Sequence, residues 1–354
     1  MILDDCELPI VLAPLAGGPA TPELAAAVSN AGGLGFVAGG YLTASRLAET
    51  IAATRALTER PYGVNLFVPG RPAPDRAAVD RYAALVTAEA TAIGAPAGPV
   101  RHDDDDWEAK LALLLADPPP VVSFTFGFPD RTVLRRLRTA GAEAWLTVGS
   151  PDEAAAAAGS GADALVVQGA EAGGHRGGPA DDPAGAVGLL ALLQLVAARV
   201  RLPLVASGGI ATGAGIAAVL GCGARAAALG TAFLDCREAG TAAVHRAALH
   251  GDAPTAYTRA FTGRTARGIR NDFLNRHSAE APEGYPEVHH LTAPMRRAAR
   301  TAGLPELVNL WAGQAYPLSR SVPAGELVRT LADEARDALA RAAGLLPGPS
   351  RPAE

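Results

Sequence analysis

The sequence predicts an α/β protein: a (β/α)8 TIM barrel with an inserted, mainly helical subdomain between strand eight and the last helix. Three observations lead there. Eight short apolar runs recur between residues 9 and 229, each the length of a buried strand and too short for a buried helix. A helical stretch follows each run, the alternation of a parallel barrel. After the eighth run the rhythm stops, and helical periodicity returns only near the C-terminus.

Pro9 to Ala13 is the first run. A loop, Pro14 to Ala20, leads to Thr21-Pro22-Glu23, an N-cap followed by proline at the first helical position, and Gly32 and Gly33 end that helix. Leu34 to Val37 is the second run, before a helix over Ser45 to Leu57. Val64 to Val68 is the third, with Asn65 inside it, before a helix over Arg76 to Ile93. Asp103 to Asp106 reads as a solvated, helix-starting acidic run. It does not suit a metal, because four consecutive side chains cannot all face one ion. Val121 to Phe124, Glu143 to Val148 and Asp163 to Gln168 are the fourth to sixth runs, separated by helices over Arg131 to Ala140 and Pro151 to Gly159. A helix over Val187 to Val200 precedes the seventh run, Leu204 to Ala206. Another over Gly213 to Leu220 precedes the eighth, Ala226 to Leu229.

This divides the chain into a barrel of residues 1–234 and 319–346, an inserted helical subdomain of 235–318, and a flexible Pro-rich tail of 347–354. The length of 354 residues suits a large barrel plus an insertion, and 49% apolar residues allow a sizeable core. A net charge of -5 implies no general affinity for nucleic acid or membrane surfaces. No segment resembles a signal peptide or a membrane span. Cys6, Cys222 and Cys236 are odd in number and scattered, which fits a reducing, cytoplasmic location better than a disulfide framework. Lys110 is the only lysine among abundant arginines, a balance that reads as genome composition.

The chemistry concentrates after the sixth run. Ala164 to Val167 open into a loop with Gly169, Gly173, Gly174, Gly177 and Gly178, with Gln168 and His175 at the break. A loop histidine defaults to a polar surface role. At the C-terminal end of a barrel strand, a catalytic or substrate-binding role is the better reading. Gln168 and Asn65 share that end, where buried amides either satisfy backbone or present donors and acceptors to a planar heterocycle. Ser207-Gly208-Gly209-Ile210 follows the seventh run and Gly230-Thr231 the eighth, the places where barrels commonly bind phosphate on glycine-lined backbone. No metal site, Walker A motif or nucleophile elbow is present. His289 and His290 read as surface residues. His102, His245, His250 and His277 default to surface or structural roles.

Taken together, APLAGGPATPELAAAVSNAGGLG (13–35), PYGVNLFVP (61–69), VVSFTFG (121–127), DALVVQGAEAGGHRG (163–177), LPLVASGGI (202–210), ALGTAFL (228–234), TGRTARGIRN (262–271) and LWAGQAY (310–316) resemble the FMN-dependent nitronate monooxygenases, formerly 2-nitropropane dioxygenases. The resemblance implies that Asn65, Gln168, Gly173, Gly208, Gly209, Gly230 and Thr231 bind FMN, the last four around its phosphate. The Pro14 to Gly18 loop, with Ala16 and Gly17, would pass near the flavin ring; Leu15 stands there where many relatives have methionine. His175 falls on the family's active-site histidine, and Trp311 to Gln314 would cap the pocket. The implied reaction is oxidation of a nitronate, or a nitroalkane, by oxygen to a carbonyl compound and nitrite, with His175 as hydrogen-bonding group or base. The implied partners are that small molecule and oxygen, with no nucleic acid or membrane, in a monomer or homodimer. Two rivals remain at this stage. One is an NAD(P)H-dependent FMN reductase of quinones or enoyl thioesters, which shares the EAGGH core. The other is a barrel that binds a phosphorylated ligand without redox chemistry.

Overall fold

The structure, a computed structural model, describes residues 1–345; the tail expected over 347–354 lies outside the described residues. Eight parallel strands form the barrel: β1 (Ile10–Leu12), β2 (Gly35–Ala38), β3 (Tyr62–Phe67), β4 (Val121–Thr125), β5 (Glu143–Val148), β6 (Ala164–Gln168) and, beyond a two-residue strand β7 (Gly174–His175), β8 (Leu204–Ser207) and β9 (Ala226–Leu229). They neighbour one another in the order β1-β9-β8-β6-β5-β4-β3-β2, and a parallel bridge between Val11 and Leu34 closes the ring. The helices between them are α1 (Pro22–Asn30), α2 (Ala44–Leu57), α3 (Arg76–Ala92), α4 (Trp107–Ala116), α5 (Arg131–Ala140), α6 (Pro151–Ser160), α7 (Leu189–Ala197) and α8 (Gly213–Gly221). The predicted cap of α1 forms: Thr21 Oγ1 accepts the Leu24 N–H at 3.0 Å.

Strand alternation sorts the core into two layers. Val64, Leu66, Val122, Phe124, Leu146, Val148, Leu165 and Val167 point outward and pack beneath the helices. Val11, Phe36, Val121, Trp145, Ala164, Val205 and Ala226 point inward and fill the barrel. Toward the C-terminal ends of the strands the inward set turns polar, through Asn65, Ser123, Thr147, Gln168 and Ser207. The polar end of the barrel is therefore written into alternate residues of the same strands that build its core.

Beyond β9 come α9 (Ala243–Ala248), an antiparallel pair β10 (Thr255–Thr258) and β11 (Ala266–Ile269), then α10 (Asp272–His277) and α11 (Glu287–Ala302). This strand pair is absent from the sequence reading. Each strand is four residues long, and β11 completes its pairing on β7, with Ala266 opposite His175 and Arg267 opposite Gly174. A partner some ninety residues away leaves no local signal. α11 packs on α3 through Val79, Tyr82, Val86, Val288, Leu291 and Met295. The final helix, α12 (Ala324–Leu345), lies on α8, where Glu334 Oε2 accepts the Gly213 N–H at 2.9 Å and a Cβ at Gly213 would sit 2.3 Å from that of Glu334.

The acidic run needs correcting. Asp103 to Asp106 does precede a helix, α4, but Asp105 is not solvated: its side chain is 19% exposed and ion-pairs with Lys110, itself 1% exposed. Four aspartates in a row look like a hydrated patch only while their partner, five residues along, is assumed to be in water.

Candidate active site

One cavity of about 420 Å³ opens at the C-terminal ends of the barrel strands, between the barrel and the 235–318 segment. Lining it are Ala16 and Gly17 from the first loop, Asn65 from β3, Gln168, Gly173 and His175 from β6 and its loop, and Gly208, Gly209, Gly230 and Thr231 from the loops after β8 and β9; of the 311–314 segment, Trp311 and Gly313 line it and Ala312 and Gln314 do not.

Their contacts differ. Asn65 Nδ2 donates to the Ser123 hydroxyl at 2.9 Å and carbonyl at 3.2 Å, while its Oδ1 is buried without a partner. A buried acceptor left open is expensive unless something fills it. Gln168 works on its own loop: Nε2 donates to the His175 carbonyl at 2.9 Å and Oε1 accepts the Gly177 N–H at 2.8 Å. Gly208 (φ +117) and Gly209 (φ +68) occupy the left-handed region, and a Cβ on Gly209 would lie 2.8 Å from Glu171 Cβ. Thr231 Oγ1 accepts the Gly313 N–H at 3.0 Å, which ties the loop after β9 to the 311–314 segment.

His175 is half-buried and lines the cavity. Phe126, Tyr285 and Trp311 surround its ring, with centroids 5.5, 6.0 and 5.5 Å away. Its Nε2 lies 2.9 Å from Thr262 Oγ1, and that hydroxyl donates to the Arg264 carbonyl at 3.2 Å. A hydroxyl has one proton. With it directed at Arg264, Nε2 carries the imidazole proton and Nδ1 keeps the lone pair.

Several wall residues escaped the sequence reading. His289, expected on the surface, lines the cavity and stacks on Tyr41 with centroids 4.1 Å apart and planes 2° apart. His290 is likewise half-buried and pairs with Asp103 at 2.8 Å. The available signal was spacing: His289, Ala293, Arg296 and Arg300 fall on one face of α11, and all four line the cavity. Polar residues on a helix face normally indicate solvent; here that face closes over a pocket.

The comparisons agree with this geometry. The nitronate monooxygenase family model matches residues 3–334. A curated nitronate monooxygenase of Pseudomonas aeruginosa is 43% identical over 346 residues, covering 93% of this chain and 96% of that protein. The chain belongs to the nitronate monooxygenase family. Among solved structures, a nitroalkane oxidase from Streptomyces ansochromogenes superposes with a TM-score of 0.93 at 49% identity, covering 97% of this chain and 99% of that one. FabK from Thermotoga maritima is more distant, with a TM-score of 0.76 at 26% identity over 97% of each chain.

In this nitronate monooxygenase family member the cavity wall is cationic. Arg296 is buried, donating to Thr292 Oγ1, Asn309 Oδ1 and the His289 carbonyl. Arg300 lines the cavity too and donates to Asn309 Oδ1; Arg264 sits behind the wall, 4.5 Å over the Phe126 ring, and donates to the carbonyls of Arg176 and Gly178. None of these partners is a carboxylate. Burial, with Arg300 nearby, pushes the Arg296 guanidinium down to about 9, which leaves it charged at neutral pH. Burial, then the charges of Arg264 and Arg296, pushes His175 down to about 3, so its imidazole is neutral. Burial pushes the Tyr41 phenol up to about 12, so it keeps its proton.

Proposed function

We propose that the protein oxidises alkyl nitronates with FMN and molecular oxygen, yielding a carbonyl compound and nitrite. The observation that carries this reading is a cavity lined by a neutral histidine, buried Arg296 and half-buried Arg300, with no carboxylate among the hydrogen-bond partners of the two arginines. Such a wall favours a small anion in a low-dielectric pocket and disfavours a neutral one.

The residues present fit FMN. The open Oδ1 of Asn65 suits an N–H on the edge of a flat heterocycle. The glycine turns at 208–209 and 230 leave backbone accessible to a phosphate, with the Thr231 hydroxyl beside them. Bound FMN supplies the electron-accepting chemistry and its reaction with oxygen. The chain's own part is binding and charge. Arg296 and Arg300, which line the cavity, stabilise the negative nitro group, and the rings of Phe126, Tyr285 and Trp311 exclude water from it. Nδ1 of His175 is an acceptor in the free protein; an anion beside it raises its pKa, and the proton it then takes up makes it a donor to that anion. A neutral nitroalkane would reach the same ion pair by giving its α-proton to Nδ1. The relative from Streptomyces ansochromogenes bears the name nitroalkane oxidase, which favours this second route, but a base with a pKa near 3 is a weak one, so nitronates are the better substrates.

Anaerobic titration of the FMN-loaded protein tests the reading. Ethyl nitronate should bleach the flavin absorbance and NADH should not. Bleaching by NADH alone would assign the protein to the reductases instead.

A further inference from the structure

We infer that Asp105, held by Lys110, is a positioning residue that fixes Tyr41 as a wall of the substrate cavity. Lys110 Nζ lies 2.7 Å from Asp105 Oδ2, both in the interior. The other carboxylate oxygen, Oδ1, accepts the backbone N–H of Tyr41 at 3.0 Å. The next residue, Asp106, accepts the N–H of Ala44 at 3.1 Å, at the start of α2. Tyr41, Asp105 and Asp106 all have left-handed backbones, with φ of 68°, 55° and 55°. Non-glycine residues hold that conformation only where surrounding contacts over-determine it, and such strain gathers at binding sites.

From Tyr41 the contacts run into the cavity. Its ring stacks on His289 and meets the edge of Phe67 at 5.3 Å. His289 Nδ1 lies 3.2 Å from Arg296 Nη2. The ion pair at the start of α4 is thus connected, through Tyr41 and then His289, to the arginine of α11 that lines the cavity. The charge pair has no evident stabilising purpose, since an apolar pair of similar volume would commonly pack as well. What an apolar pair lacks is an oxygen at a fixed point to receive the N–H of a strained residue.

The role in substrate binding rests on the function proposed above; the positioning of Tyr41 does not. Two double variants of the FMN-loaded full chain separate them. Lys110→Met with Asp105→Asn removes both charges and retains an oxygen for the Tyr41 N–H. Lys110→Met with Asp105→Ala removes both charges and the oxygen. Both avoid an unpaired buried charge, so both should fold. The first should keep KM for ethyl nitronate within about twofold of the parent, and the second should raise it about tenfold with kcat and flavin content little changed. Hydrogen exchange of residues 39–45 should match the parent in the first variant and accelerate in the second. Equal exchange in the two variants overturns the inference whatever the kinetics. Different exchange with equal KM overturns the link to the substrate alone. A parent protein that does not consume nitronate overturns the proposed function and leaves the exchange comparison to decide the positioning.

Discussion

Gln168 holds the main chain of His175: its Nε2 donates to the His175 carbonyl at 2.9 Å, while its Oε1 accepts from Gly177 two residues on. The amide bridges both ends of the turn that carries this cavity-lining imidazole. The same imidazole is held from the other side by β11, where Ala266 is its strand partner. The barrel and the segment after β9 therefore both set the position of one side chain.

Replacing Gln168 with leucine strands a partly buried carbonyl and N–H together. Each such group costs about 1–3 kcal/mol. The Gln168→Leu protein should unfold at clearly lower urea and lose turnover by more than it loses stability. Denaturation monitored beside nitrite release checks both; unchanged turnover would mean the turn is held well enough without the amide.

Thr262 orients the ring of His175. Thr262→Val removes the one side-chain hydrogen bond to Nε2 among the described residues, and Thr262→Ser keeps it. Turnover should drop about tenfold in the valine variant and recover in the serine variant. His175→Asn should retain flavin and lose about a hundredfold or more in kcat, the usual contribution of a group that handles a proton. Steady-state nitrite production and the flavin-to-protein absorbance ratio distinguish these outcomes.

Stability should fall on acidification. Burial pushes His175 to about 3 and His245 to about 4, and His289 well below its ordinary value. Below pH 6.5 the unfolded chain takes up protons that these folded histidines refuse, so each contributes a loss of about 1.4 kcal/mol per pH unit until its folded pKa is reached. Asp105, which burial pushes up to about 6, acts in the opposite sense: its folded carboxyl gains protons first, and stability rises as pH falls from 6 toward 3.8. Three histidines against one carboxyl give a net loss. Thermal melts from pH 7.5 to 4.5 should show Tm falling with pH; a flat profile would contradict the buried, neutral histidines.

Asn65→Leu should weaken FMN binding about ten- to a hundredfold, since it removes the open acceptor at the cavity floor. The melting temperature of the flavin-free protein should change little by comparison, because the substitution also removes an unpaired buried oxygen. Equilibrium titration of flavin fluorescence measures the first effect, and a melt of the stripped protein measures the second.

The ten lining residues named from the sequence were legible because they sit where barrel geometry sends them. Asn65, Gln168 and the glycine turns at 208–209 and 230 follow apolar runs, and the ends of parallel barrel strands meet at one mouth. His289, Tyr41 and Lys110 were not legible. Their roles depend on contacts across 248, 64 and 5 positions: a stacked ring, an accepted N–H and a buried ion pair. Residue type alone marks each as polar and therefore outward.

The sequence by itself determined the barrel and its strand positions, because short apolar runs alternating with helical stretches are a pattern written locally along the chain. Only the tertiary structure decided which charges stay in water. It pairs β11 with β7, turns the His289–Arg300 face of α11 onto the cavity and buries the single lysine against Asp105. Burial is a property of what packs on top, and for these residues that comes from parts of the fold their own neighbourhood does not encode.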